Sequence, residues 1–157
     1  MKTIIVYMSR HGCTEKAVKI LAEHLGKDIS VKNLKNENAP DIDGYDTVII
    51  GGSIHAGQIQ TEIRRFCQRN MEKLLKKKTG LFVCCMETGK TAEDQFNNAF
   101  PEELRNHATE KGMFGGEFDF AKMSAFEKRI IEKVANITES ISLLDRTAIK
   151  DFAGKFR

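Results

Sequence analysis

The chain has no tryptophan, and only two prolines and two tyrosines among 157 residues. No apolar run approaches the roughly 18 residues that a membrane-spanning helix needs, so no span is expected. Met1-Lys2-Thr3 leads directly into an apolar segment, so no cleaved leader is expected and a cytoplasmic location is the working expectation. The four cysteines, Cys13, Cys67, Cys84 and Cys85, include no C-x-x-C pair. In an intracellular chain that pattern reads as reduced thiols used mostly in packing, with no metal site. A formal net charge of +3 is too small to argue for nucleic-acid binding. Lys76-Lys77-Lys78 and the group Arg64, Arg65 and Arg69 are not interleaved with aromatic residues as stacking platforms would be. They read as a solvated helix face and turn, with a docking patch for an anionic partner or membrane surface as the alternative.

Against these absences stands the composition of an ordinary globular protein, 41% hydrophobic and 30% charged. The length suits one domain, residues 1–157. Continuous β-branched or apolar runs at Lys2–Met8, Tyr45–Gly51 and Gly80–Met86 predict buried strands, and 29–34 and Gly112–Phe120 read as a second and a fifth strand. Helical spacing recurs between them. Val18, Leu21, Ala22 and Leu25 mark the first helix, which Gly26 stops. Ile59, Ile63, Phe66 and Cys67 mark the second. The stretch 92–110 is broken by Pro101, which predicts two short helices rather than one. Ser124 with Glu127 forms a capping box before Ile130, Ile131, Val134 and Ile137. Ile149, Phe152, Ala153 and Phe156 mark a last helix. This alternation argues for an α/β fold, a parallel sheet covered by helices on both faces. Such sheets bind ligands beyond the carboxyl ends of their strands, so the loops after strands one, three and four form the candidate site.

The first of these loops carries the strongest signal. Ile4-Ile5-Val6-Tyr7-Met8 runs into Ser9-Arg10-His11-Gly12-Cys13-Thr14 and then into the first helix. A helix N-terminus leaves N–H groups unpaired and carries partial positive charge. Ser9 and Thr14 add hydroxyls, and Gly12 allows the backbone to approach a phosphate closely. Other phosphate chemistries fail on spacing. A dinucleotide fingerprint needs G-x-G-x-x-G, which is missing. A cysteine phosphatase needs an arginine six positions after its cysteine, where Cys13 finds Lys19. In a nucleotide P-loop ending at Gly89-Lys90-Thr91, the leading glycine position is Cys84, inside a strand. A phospho-receiver domain needs an aspartate ending strand three, and Gly51-Gly52 stands there instead. A mononucleotide loop remains.

Ser9-Arg10-His11-Gly12-Cys13-Thr14 resembles the phosphate loop of flavodoxins, [ST]-x-[TS]-G-x-T, with His11 in place of the usual third hydroxyl. The resemblance covers nearly the whole chain. It implies a flavodoxin-like, doubly wound, five-stranded parallel sheet of order 2-1-3-4-5 and FMN as cofactor. It also implies that the FMN phosphate is held by Ser9 to Thr14. Ser53, Ile54, His55, Ala56 and Gly57 would then flank one side of the flavin ring, and Glu87, Thr88, Gly89 and Lys90 would line the other.

Flavodoxins usually stack a tryptophan or tyrosine on the flavin, whereas neither ring loop here holds an aromatic residue. Electron-carrying flavodoxins are usually acidic, whereas this chain has a pI near 8.6. Gly51-Gly52-Ser53-Ile54-His55-Ala56-Gly57 and S-R-x-G-x-T also look like the flavodoxin-like protoporphyrinogen oxidases. That branch uses FMN and passes electrons to membrane quinone, which implies a peripheral membrane contact. It also carries a long basic insertion after strand four, which this chain does not have.

Three roles therefore stay open: an electron-transfer flavoprotein serving a redox partner protein or small donor and acceptor, a protoporphyrinogen oxidase, and a cofactor-free interaction module. His55 is the candidate for proton chemistry beside a flavin, because histidine titrates near neutrality; an exposed loop histidine is the plainer reading. Cys13 reads as a loop residue contacting phosphate through its backbone, since no second cysteine is expected to be placed to resolve it. Cys84 and Cys85 read as strand packing, and His24 and His107 as helix-surface residues.

Overall fold

The computed structural model describes residues 2–9, 12–26, 28–35, 38–118, 129, 141–142 and 144–157. Strand β1 (Thr3–Tyr7) leads to helix α1 (Cys13–Leu25) and edge strand β2 (Ile29–Asn33). Strand β3 (Thr47–His55) turns into the two-residue strand β4 (Gln58–Ile59). Helices α2 (Thr61–Arg69) and α3 (Met71–Leu74) lead to β5 (Lys78–Cys84). Then come α4 (Gly89–Ala99), α5 (Glu102–His107) and β6 (Glu110–Met113). A separate antiparallel pair joins β7 (Glu117–Phe118) to β8 (Ile141–Ser142), and α6 (Arg146–Gly154) follows.

The parallel strands are ordered β2-β1-β3-β5-β6, with β4 paired only to the end of β3. With that hairpin strand set aside, this is the expected 2-1-3-4-5 order. The period-two alternation of a strand divides each apolar run between two cores. Ile4, Val6, Val48, Ile50, Leu81 and Val83 face one core, packed against Ile63, Phe66 and Cys67 of α2, Leu74 of α3, and Ala92 and Phe96 of α4. Ile5, Tyr7, Ile49, Phe82 and Cys84 face the other, packed against Ala17, Val18 and Leu21 of α1 and Ile149, Phe152 and Ala153 of α6. Burial on both faces explains why the runs are continuous rather than alternating.

Several boundaries differ from the expectation. The third strand begins at Thr47 and continues through Ser53, Ile54 and His55, because Ile54 and His55 pair with Ile59 and Gln58. The turn is Ala56-Gly57, with φ of 51° and 78°. Positive φ at both central residues is the two-residue hairpin geometry. Alanine is an unusual residue there, and this hid the hairpin in the sequence. The fifth strand occupies 110–113 rather than 112–120, since Glu110 pairs with Gly80 and the chain turns away after Met113. The fourth strand begins at Lys78 and ends at Cys84. Pro101 does separate two helices, α4 and α5. The helix expected from Ser124 onward lies outside the described residues.

Three of the six basic residues, Lys77, Lys78 and Arg64, are committed to local structure. Lys77 Nζ donates to the Tyr45 carbonyl at 2.6 Å, and Lys78 lies over the Phe156 ring at 5.4 Å. Arg64 Nη2 donates to Gln58 Oε1 at 2.7 Å. No helix among the described residues is long and apolar enough to cross a membrane.

Candidate functional site

β1, β3 and β5 run parallel in adjacent positions, so their carboxyl ends, and the loops leaving them, share one edge of the sheet. At the first loop, the Gly12 N–H donates to Ser9 Oγ at 3.0 Å, closing a tight turn from the end of β1 into α1. Gly12 is the N-cap of α1 with φ of 90°, a left-handed conformation that a side chain would strain. Having no side chain, it also gives α1 no side-chain cap. Ser9 and Thr14 are both buried. Thr14 Oγ1 makes no hydrogen bond beyond a weak interaction with the Cys84 thiol. A buried hydroxyl without a strong partner costs free energy unless a ligand supplies one. Cys13, expected in the loop, is the first residue of α1 and is buried. Arg10 and His11 lie outside the described residues.

The second loop is the β3–β4 hairpin, so Ser53, Ile54 and His55 are strand residues and only Ala56 and Gly57 form a turn. Gln60, which the sequence did not single out, organises this region. Its Oε1 accepts from the Ser53 N–H at 3.1 Å, which orients the amide. Its Nε2 then donates to Ser53 Oγ at 2.8 Å and to the Met8 carbonyl at 3.3 Å. One side chain thus ties the end of β1 to the end of β3. Gly52 leaves the room: a Cβ there would lie 2.5 Å from Gln60 Oε1.

His55 Nε2 lies 3.0 Å from Ser53 Oγ. Because that oxygen already accepts from Gln60, its own hydrogen is available to a neutral His55 carrying its proton on Nδ1. A protonated imidazole reverses this last link. The local signal for Gln60 was only a polar residue preceding α2; its partners lie up to 52 positions away.

The third loop is shorter than expected. Gly89 and Lys90 belong to the first turn of α4, with Thr88 at its N-cap, so the loop between β5 and α4 is residues 85–88. Glu87, Thr88, Gly89 and Lys90 are exposed. Lys90 Nζ sits 3.5 Å from Asp94 Oδ1, one turn along the same helix. α4 packs against β4, which brings this loop's helix alongside the hairpin.

Cysteine chemistry divides by position. Burial pushes the Cys67 thiol up to about 12. Burial also raises Cys85, whose Sγ–H points to the Glu87 carbonyl at 3.7 Å. Cys84 faces the α1 core, and its thiol is a hydrogen-bond neighbour of Cys13. This corrects the expectation that no second cysteine stands beside Cys13.

The first βα turn of this doubly wound sheet, with the loops after β3 and β5 at the same edge, lies where α/β proteins of this topology take their ligands. The family described as Flavodoxin domain matches residues 4–143, and the chain belongs to it. FMN is accordingly its cofactor, and the uncapped start of α1 with the underused Thr14 hydroxyl fits a bound phosphate. Over 77 residues the chain is 31% identical to protoporphyrinogen IX dehydrogenase [quinone] of Escherichia coli, covering 47% of this chain and 42% of that protein. The match therefore spans less than half the length of that relative. Among solved structures, oxidised flavodoxin 1 of Bacillus cereus superposes with a TM-score of 0.63 at 17% identity, covering 99% of this chain and 97% of that one. The two-electron-reduced flavodoxin of Megasphaera elsdenii gives 0.60 at 17% identity, covering 98% of each chain. At such identities these two report the fold.

Proposed function

We propose that the chain is an electron-transfer flavoprotein that binds FMN by its phosphate at Ser9–Thr14, with the ring between the β3–β4 hairpin and Glu87–Lys90. The observation that carries this reading is Thr14 Oγ1, buried with no strong partner at the uncapped start of α1. When bound, FMN supplies the electron chemistry, and the protein supplies orientation and electrostatics. Ser9 holds the turn in shape by accepting the Gly12 N–H, which leaves its own hydrogen to donate outward. Gln60 keeps the ends of β1 and β3 in register. His55 is the residue of the hairpin able to hold a proton beside the ring, on Nδ1 when Nε2 accepts from Ser53. A redox partner protein or a small donor and acceptor completes the transfer, and a cytoplasmic setting agrees with four cysteines that are all thiols.

The visible spectrum of the purified protein, followed by FMN titration of the apoprotein, tests this. The expected result is saturable binding. Thr14→Val should weaken it by about 1.5–3 kcal/mol, the worth of a hydrogen bond to a charged group, which is roughly tenfold or more in Kd. A colourless protein that takes up no FMN in equilibrium dialysis overturns the reading and supports a cofactor-free interaction module.

The match to the Escherichia coli dehydrogenase favours a second role, oxidation of protoporphyrinogen with electrons delivered to quinone at a membrane surface. Anaerobic addition of protoporphyrinogen separates the two roles. Porphyrin formation with bleaching of the flavin, restored by quinone, supports the second; an unchanged spectrum supports the carrier.

A further inference from the structure

Cys13 and Cys84 lie 71 positions apart in the chain (84 − 13), yet the fold sets them together. Cys84 ends β5 in register with Ser53 of β3, and its side chain enters the core beneath α1. Cys13 opens α1 and turns into the same core. Their thiols are hydrogen-bond neighbours, and both are reduced. Cys85, the next residue along, faces the opposite core. A pair of facing thiols has a chemistry that neither has alone.

We propose that Cys13 and Cys84 form a reversible dithiol–disulfide couple beneath the anion cradle, oxidised by small hydroperoxides. The two cysteines are not equivalent. Cys13 sits at a helix N-terminus, where the macrodipole favours the thiolate. It also keeps 8% of its surface exposed, against 2% for Cys84. Cys84 is held protonated, first by its hydrogen bond with Cys13 and then by burial. Cys13 is therefore the attacking sulfur and Cys84 the resolving one.

The Cys13 thiolate attacks one oxygen of hydrogen peroxide. The O–O bond breaks, a sulfenic acid forms, and the leaving hydroxide takes up the proton that Cys13 had released. The Cys84 sulfur then attacks the Cys13 sulfur, the S–O bond breaks, and the hydroxyl leaves as water with the Cys84 proton. Two thiols give two electrons to one peroxide, yielding one disulfide and two waters. The couple needs no flavin, so it stands or falls independently of the proposed function.

The test treats the purified protein with one equivalent of hydrogen peroxide, counts thiols and maps peptides under non-reducing conditions. The expected result is loss of two of the four thiols, a peptide joining Cys13 to Cys84, and full recovery with dithiothreitol. Cys13→Ser should slow thiol loss by about tenfold or more. Cys84→Ser should leave a sulfenic acid on Cys13 that dimedone traps. Absence of the joined peptide from the unmutated protein overturns the proposal whatever the variants do, since that measurement requires no substitution to fold. Oxidation of Cys67 or Cys85 ahead of Cys13 overturns it as well.

Discussion

The two faces of the sheet are built from the same strands and solve packing differently. The α1/α6 face is filled by rings: Phe82 stacks on Phe114 at 4.8 Å, and Phe152 meets Phe114 edge-on at 5.2 Å and Phe156 at 5.1 Å. Glycines in the strands make room for them. A Cβ on Gly51 would lie 2.1 Å from the Phe82 ring, one on Gly80 2.6 Å from Phe156, and one on Gly112 2.6 Å from Phe114. The α2–α5 face lines its strands with aliphatic side chains such as Ile4, Val6 and Ile50, and its rings come from the helix side, where Phe96 meets Phe100 at 5.2 Å. At the carboxyl edge the ring-filled face ends under the Cys13–Thr14 cradle, while the other ends on the Gln60 clamp. Ring packing shapes the first face, and the hydrogen bonds of a single amide tie the hairpin to the end of β1 on the other.

The contrast can be broken at its strongest point first. Phe152→Ala removes the ring that meets both Phe114 and Phe156, and should cost about 3–5 kcal/mol in denaturant unfolding. A loss below that range would mean that the ring face can collapse around the gap. Gly80→Ala should cost about 1–3 kcal/mol by overpacking. Phe156→Leu in the same chain should recover part of it, whereas additive losses in that double-mutant cycle would show that the ring and the glycine do not share space.

On the other face Gln60→Ala should cost about 1–3 kcal/mol, because the Ser53 N–H and hydroxyl lose their partner. Its signature is faster hydrogen exchange at Ser53 with little change elsewhere; uniform loosening would count against a local clamp. An effect confined to alkaline pH concerns Cys67. Burial pushes its thiol from the ordinary 9.0 up to about 12 in the folded protein. The folded state therefore keeps a proton that the unfolded state loses between those values, and stability should fall by about 1.4 kcal/mol per pH unit above pH 9. Cys67→Ala should flatten that alkaline slope while lowering stability at neutral pH.

The strand-to-helix turn itself is legible locally: β-branched residues precede it, Gly12 caps α1, and Ser9 accepts the Gly12 N–H. The hairpin was hidden because Ala56 adopts a backbone conformation that alanine seldom takes. Glu87–Lys90 read as a longer loop because Gly89 usually breaks helices, yet here it begins one.

The order of strands and helices, the burial of the central strands on two faces and the glycine turn that opens α1 followed from the sequence itself, because apolar periodicity and helix-end chemistry act over a few residues. The bridge from Gln60 to Met8 and Ser53, the glycine-for-ring exchange, and the meeting of Cys13 with Cys84 were decided only by the tertiary structure. Each joins side chains whose proximity depends on how parallel strands are ordered and registered, and no local pattern encodes that register.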